Sequence, residues 1–292
     1  MQPRRRKGTM PSFSSYVVGG ALRLQLGPHG DSARRDAETL LMHLLVKNRA
    51  WMLAHKDDEL GYECAEEYIA IIERRFAGEP MQYIFGETEF YRLPFRVTRD
   101  VLIPRPETEQ VVERVLDLAA NFSNPRIVDV GTGSGAIAVA LTHELPDAVV
   151  TATDLSAMAL NVARENAERN GVAERVRLVE GNLLDPVAGE QFDMVVSNPP
   201  YVSVGDRESL AVEVRDYEPE QALFAGADGM HVYRRLIPQA FAALARGGYL
   251  VLEIGYGQEA PVCALLGEAG FENVEFTPDL QGIPRVACAR KS

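Results

Sequence analysis

The sequence predicts an α/β protein built on a mostly parallel sheet covered on both faces by helices. Two observations carry this. From Arg126 onward, short apolar runs alternate with helical patterns. A glycine-rich stretch, Asp129-Val-Gly131-Thr132-Gly133-Ser134-Gly135, stands between the first of those runs and the helix that follows. Alternation of this kind means parallel strands joined by crossover helices, with ligands at the carboxyl ends of the strands.

Taken in order, residues 1–30 read as a flexible extension that carries the basic run Arg4-Arg5-Arg6-Lys7, with Met10 as an alternative start. Residues 31–78 read as a small helical domain. Asp31 is placed to cap a helix with Ala37, Leu40, Leu41, Leu44 and Leu45 on its inner face. Trp51-Met52-Leu53 starts a connecting piece. A further helix carries Tyr62, Ala65, Tyr68, Ile69 and Ile72 and stops at Gly78. Residues 79–106 scatter Tyr83, Ile84, Phe85, Phe90, Phe95 and Val97 among glycine and proline, which predicts a β-hairpin linker.

Helix resumes near Glu107 with Val111, Val112, Val115 and Leu118 inward, opening a domain over 107–292. Five strands are expected at 126–130, 149–154, 176–180, 192–197 and 249–254. Two weaker ones, at 274–276 and 285–289, lack a helix between them and read as an antiparallel hairpin around Asp279–Gly282. Helices are expected at 156–170, 232–245 and 258–270. The sheet therefore has seven strands.

The bulk properties exclude several classes. An apolar content of 46% and a charged content of 25% over 292 residues are those of a globular protein with a full core. No apolar stretch approaches the roughly 20 residues needed to span a bilayer, and no signal core follows the basic run. The three cysteines, Cys64, Cys263 and Cys288, are odd in number and widely spaced, and the five histidines lack ligand spacing, so no disulfide framework or metal site is expected. A cytoplasmic location follows. A net charge of −12 argues against a stable nucleic acid partner, since duplex binders cluster Lys and Arg against phosphates.

The glycine loop lets a ligand approach the backbone and meet helix N–H groups. Asp154 ends the next apolar run, where an acid is placed to hold ribose hydroxyls. That pattern also fits a dinucleotide. Asp129 separates the two ligands: a carboxylate before the first glycine repels a pyrophosphate and suits an ammonium group. S-adenosylmethionine carries an ammonium, a ribose and a sulfonium, and no phosphate.

Asn198-Pro199-Pro200-Tyr201 follows the apolar run Phe192, Met194, Val195, Val196. Prolines lack N–H donors and fix φ, so this stiff turn presents carbonyl acceptors. Asn198 adds a side-chain oxygen and Tyr201 a flat ring. Convergent acceptors beside a ring suit a planar NH2 group, whether an amide or a base amine.

Four segments together resemble the HemK/PrmC family of peptide-chain release factor glutamine N5-methyltransferases. They are Gln82-Tyr83-Ile84-Phe85-Gly86, Ile103-Pro-Arg-Pro-Glu-Thr-Glu109, Asp129–Gly135 and Asn198–Tyr201. The last two are shared with adenine-N6 and cytosine-N4 methyltransferases, whereas the first two are particular to this family. One departure is Gly181-Asn182-Leu183-Leu184, where relatives often carry an aromatic. The resemblance implies a class I S-adenosylmethionine-dependent methyltransferase fold with a helical substrate-recognition domain. It implies methylation of the glutamine of a Gly-Gly-Gln tripeptide on a release factor by a monomeric enzyme away from membranes, leaving S-adenosylhomocysteine.

The implied cofactor-binding residues are Asp129, Gly131, Thr132, Gly133, Ser134, Gly135, Asp154, Leu183 and Asn198. Asn198, Pro199, Pro200 and Tyr201 would bind the substrate, with Asn198, Pro199 and Tyr201 catalytic and no metal involved. Thr108 with Glu107 and Glu109 is expected over the cofactor site or as plain helix-start chemistry; Arg105 is expected to pair with a neighbouring acid, and Glu253 reads as structural. A nucleic-acid amino-methyltransferase is the alternative function, and a non-catalytic adaptor a further one.

Overall fold

The computed structural model describes residues 11–292, so the Arg4–Lys7 run and Met10 lie outside the described residues. The chain forms two compact units. One holds the residues up to Phe85 together with Ala211–Tyr217; the other holds Gly86–Leu210 and Glu218–Ser292.

The first unit is helical: α1 (Phe13–Leu24), α2 (Ala33–Leu45), α3 (Arg49–Ala54), α4 (Tyr62–Phe76) and α5 (Met81–Phe85). The flexible extension expected over residues 1–30 is corrected at Phe13–Leu24, which form α1. Phe13, Val17, Ala21 and Leu24 recur on one buried face, and the Ser12 side chain accepts from Ser15 N at the helix start. Gly20 on this helix is a packing device. A Cβ on Gly20 would come within 2.6 Å of the Tyr68 hydroxyl oxygen and 2.9 Å of Ile72 Cδ1, so α1 and α4 approach closely only without one.

Three smaller expectations also change. Asp31 falls in a single 3-10 turn, Gly30–Ser32, and Ser32 precedes α2 instead. Trp51–Leu53 lies inside α3, whose start is capped by Asn48 Oδ1 accepting from Trp51 N. Tyr83, Ile84 and Phe85 are helical rather than hairpin residues. The buried Arg75 on α4 donates to Asp36 Oδ2 at 2.9 Å and to Glu213 Oε2 at 2.8 Å, fixing 211–217 within this unit. No helix among the described residues is long and apolar enough to cross a membrane.

The second unit opens with an antiparallel hairpin, β1 (Glu87–Phe90) and β2 (Leu93–Arg96), followed by α6 (Glu109–Ala119). The alternation then runs β3 (Arg126–Val130), α7 (Ala136–Glu144), β4 (Val149–Asp154), α8 (Ala157–Arg169), β5 (Val176–Glu180) and β6 (Phe192–Ser197). The short helix α9 (Val212–Tyr217) belongs to the first unit. Next come α10 (Glu220–Leu223), α11 (His231–Ala243), β7 (Leu244–Glu253), α12 (Glu259–Glu268), β8 (Glu272–Pro278) and β9 (Pro284–Arg290).

The seven strands lie in the order β5-β4-β3-β6-β7-β9-β8. The first five are parallel, while β9 and β8 run antiparallel, as their missing crossover predicts. Ile127, Val128, Val195, Val196, Leu250 and Val251 are buried, which is why these strands read as continuous apolar runs. Strand order reverses between β3 and β6. A crevice opens at such a switch point, beyond the carboxyl ends of the strands, because the connections leave the sheet in opposite directions.

Candidate active site

A cavity of about 230 Å³ lies at that switch point. Gly131, Thr132, Gly133 and Ser134 line it from the turn after β3, and Asp154 from the end of β4. Leu183 follows β5 and Asn198 and Pro200 follow β6, so four strand ends converge on one space. Asp129, Gly135, Pro199 and Tyr201 do not line this cavity.

The glycines serve distinct purposes. Gly131 has φ +72° and Gly135 has φ +81°, a region that other residues enter only at a cost. Gly131 has open space where a Cβ would stand. A Cβ on Gly135 would press Ala163 Cβ at 3.1 Å, so that glycine lets α7 and α8 close together. The turn is held from outside by the buried Asn166 on α8. Its amide exchanges hydrogen bonds with both backbone groups of Arg96 on β2 and donates to Ser134 O at 2.8 Å.

Asp129 is fully buried. Its Oδ2 accepts from the Thr132 hydroxyl at 2.6 Å and from Ala138 N at 3.2 Å, while Oδ1 has no partner. Burial pushes its carboxyl up to about 7. A cation is what such a group lacks, which fits an ammonium-bearing ligand. Asp154 accepts from Gly133 N at 2.8 Å and from Ser156 N at 2.9 Å. Burial raises it as well. A carboxylate has about four acceptor positions, so acceptor capacity remains for a hydroxyl. Leu183 stands at φ +52° with its carbonyl accepting from the Thr153 hydroxyl at 2.9 Å. A branched side chain in that conformation costs about 1–3 kcal/mol and is held in place by its surroundings. These residues fit S-adenosylmethionine.

At the other end of the cavity, Asn198 Nδ2 donates to Thr108 Oγ1 at 3.1 Å. The Thr108 hydroxyl donates to Glu253 Oε2 at 2.6 Å, and the Tyr201 hydroxyl donates to Glu253 Oε1 at 3.3 Å. Burial pushes the Glu253 carboxyl up to about 7. Gln258 fixes the motif's backbone by donating to Tyr201 O at 3.0 Å. Gly229 is required there, since a Cβ would meet that same oxygen at 2.4 Å. Arg105 pairs with Glu218 at 2.5 Å, the acid the sequence reading expected but did not name.

Glu253, which reads as structural in the sequence, accepts hydrogen bonds from both Thr108 and Tyr201. Parallel pairing sets Ser197 beside Leu252, which puts Asn198 and Glu253 at adjacent strand ends. An acid ending the strand next to the Asn-Pro-Pro-Tyr strand was the available signal.

Comparison with known proteins decides the family. Residues 22–86 match the PrmC N-terminal domain and residues 111–215 the methyltransferase small domain. The chain is 43% identical over 261 residues to a release factor glutamine methyltransferase of Koribacter versatilis, covering 89% of this chain and 92% of that protein. It is likewise 43% identical over 281 residues to one of Xylella fastidiosa, covering 96% and 98%. The chain belongs to the release factor glutamine methyltransferase family. It is therefore a methyltransferase, and its fold is that of the class I enzymes. The fold is shared with a T. thermophilus 16S rRNA N2 G1207 methyltransferase solved with AdoMet and guanosine, at a TM-score of 0.53 and 17% identity over 70% of this chain and 50% of that one. Of the other two segments, Gln82–Phe85 ends the first stretch of the helical unit, and Ile103–Glu109 carries Thr108 to the cavity.

Proposed function

We propose that this methyltransferase uses S-adenosylmethionine to methylate the side-chain amide nitrogen of a release factor glutamine, in a Gly-Gly-Gln context, within the cytoplasm. One observation carries the reading. The glycine turn and Asn198 line the same cavity, so a nucleoside held by the first lies beside an amide acceptor offered by the second. Asp129 would meet the donor's ammonium, Asp154 its ribose, and Leu183 the edge of its base. When bound, the donor supplies an electrophilic methyl group on a sulfonium.

The chain's own residues do the rest. An amide nitrogen is a poor nucleophile because its lone pair is delocalised into the carbonyl. Asn198 Oδ1 and the Pro199 carbonyl would each accept one N–H of the glutamine, holding its nitrogen in line. As the new N–C bond forms, positive charge grows on nitrogen and meets those fixed acceptor dipoles. The electron pair of the broken bond stays on sulfur, and one N–H proton passes to water. Alignment supplies much of the remaining acceleration. Pro200 shapes the wall, and the Tyr201 ring would lie against the amide plane. The helical unit, which carries the PrmC N-terminal match, would bind the protein substrate.

A base amine would satisfy the same acceptors, so the deciding experiment scores methyl transfer to a purified release factor against transfer to DNA and ribosomal RNA. Transfer to the Gly-Gly-Gln glutamine alone is the expected result. Preferential transfer to a nucleic acid would replace this reading with the base-amine one.

A further inference from the structure

We propose that Thr108 and Glu253 are positioning residues that fix which way the Asn198 amide faces, turning its oxygen rather than its nitrogen toward the substrate. The inference rests on the proposed role of Asn198 as an acceptor for the glutamine NH2 group.

A side-chain amide has two orientations of nearly equal shape, differing only in where the oxygen and nitrogen sit. In one, Asn198 offers an acceptor to the substrate. In the other it offers a donor to a group that itself carries two donors, and the clamp fails. Something must separate the two by energy, and the contacts around Thr108 do so.

A threonine hydroxyl has a single proton. Here that proton is committed to Glu253 Oε2 at 2.6 Å, because an ionised carboxylate can only accept. The side of Thr108 Oγ1 that faces Asn198 is then left with lone pairs alone. It accepts from Asn198 Nδ2 at 3.1 Å, and the amide oxygen is turned away. The flipped amide would set two oxygens against each other at the same distance. Glu253 is buried, and burying a carboxylate is costly unless its oxygens are satisfied. Both are engaged by hydroxyls: Thr108 on Oε2 and Tyr201 on Oε1. One carboxylate thus anchors two parts of the substrate turn.

The arrangement depends on the charge of Glu253. Once protonated, the acid can donate to Thr108 Oγ1, which frees the threonine proton to donate to Asn198 Oδ1 and reverses the amide. The groups that face this carboxylate are Glu107 and Thr108 ahead of α6, Tyr201 after β6, the Tyr233 hydroxyl of α11 on its main-chain oxygen, and Arg285 on β9. Glu107 favours the acid form, and Arg285 favours the ionised form. Burial brings the changeover to about 7.

The test is single-turnover methyl transfer to a Gly-Gly-Gln release factor at saturating donor, with donor titration on every variant to establish folding. Thr108→Val keeps the shape and removes the hydroxyl. We expect its rate to fall roughly 10- to 100-fold, less than the roughly 10²–10³ of losing the acceptor itself. Donor affinity should be unchanged, and Thr108→Ser should restore the rate. Combined with Asn198→Ala, Thr108→Val should cost almost nothing further, because its effect runs through Asn198. The wild-type rate should fall below about pH 7, and Glu253→Gln should lower the rate and abolish that pH dependence. If Thr108→Val transfers methyl at the wild-type rate while Asn198→Ala is impaired, the relay is wrong and the clamp stands. Losses that multiply in the double variant overturn the relay as well. Should Asn198→Ala itself keep the wild-type rate, the clamp and the relay both fall. Should Thr108→Val fail to bind donor, the Thr108→Ser and Glu253→Gln pair decides by the same rate and pH criteria.

Discussion

Gly133 N donates to Asp154 Oδ2 at 2.8 Å, so the turn after β3 and the end of β4 are bound to one carboxylate. The acid proposed to hold the donor's ribose therefore also sets the curvature of the loop under it. Asp154→Ala should weaken donor binding by about 1.5–3 kcal/mol, the range for hydrogen bonds to a charged acceptor. Asp154→Asn, which keeps one acceptor, should lose less. Calorimetric titration with S-adenosylmethionine measures both, and unchanged affinity in the alanine variant would remove Asp154 from the binding site.

Asp129 gives a pH prediction of definite sign. Its carboxyl is raised from the usual range to about 7 in the folded chain. Between those values the folded state holds a proton that the unfolded state has lost. The stability this proton confers is present below about pH 4 and is lost as pH rises through about 7. Asp129→Asn should remove that loss, so its thermal midpoint should overtake the wild type's as pH rises from about 5 to 8. Donor affinity should move the other way. An ammonium favours the ionised acid, so wild-type binding should weaken from about pH 7.5 to 5.5, and the Asn variant should bind weakly throughout. Parallel midpoint curves for the two proteins would refute the assignment.

Asn198→Ala removes one acceptor facing the reacting NH2 group. A loss of about 10²–10³ in kcat is expected, with donor affinity largely kept because the ammonium and ribose contacts lie elsewhere. Asn198→Asp still accepts hydrogen bonds but adds a charge beside the sulfonium, and it should also be slow. Rapid-quench methyl transfer reads both variants directly.

Asn166 is a structural test of the same site. Asn166→Leu leaves the Arg96 backbone groups and Ser134 O without their buried partner. Unmade buried hydrogen bonds should cost about 2–4 kcal/mol of stability, and the glycine turn, freed on one side, should bind donor less tightly. A denaturant midpoint equal to wild type would show that water replaces these bonds without loss.

The parallel strands and the glycine turn were legible because their signals are local. Buried strands such as Val149–Asp154 read as apolar runs, and Gly131–Gly135 mark a backbone that few other residues can follow. Helix α1 lies inside the stretch that reads as an extension, and its fit depends on Gly20 leaving room for Tyr68, some 48 positions later. Met81–Phe85 was misread because one helical turn carries too little periodicity to be told from a strand. The links from Asn198 through Thr108 to Glu253 were the hardest to see. They join three segments far apart in the chain, and no spacing rule connects a strand-end acid to a threonine 145 positions earlier.

The return of residues 211–217 to the helical unit makes the enzyme hard to dissect. The chain passes between its units three times, after Phe85, after Leu210 and after Tyr217. Cutting at Phe85 alone would orphan α9, stripping Glu213 of the Arg75 it binds and Tyr217 of the Ala77 carbonyl that accepts from its hydroxyl. A clean excision needs a second edit that bridges Leu210 to Glu218 with a short linker. The same threading means that a protease nick after Phe85 leaves the C-terminal piece still carrying Ala211–Tyr217 of the helical unit.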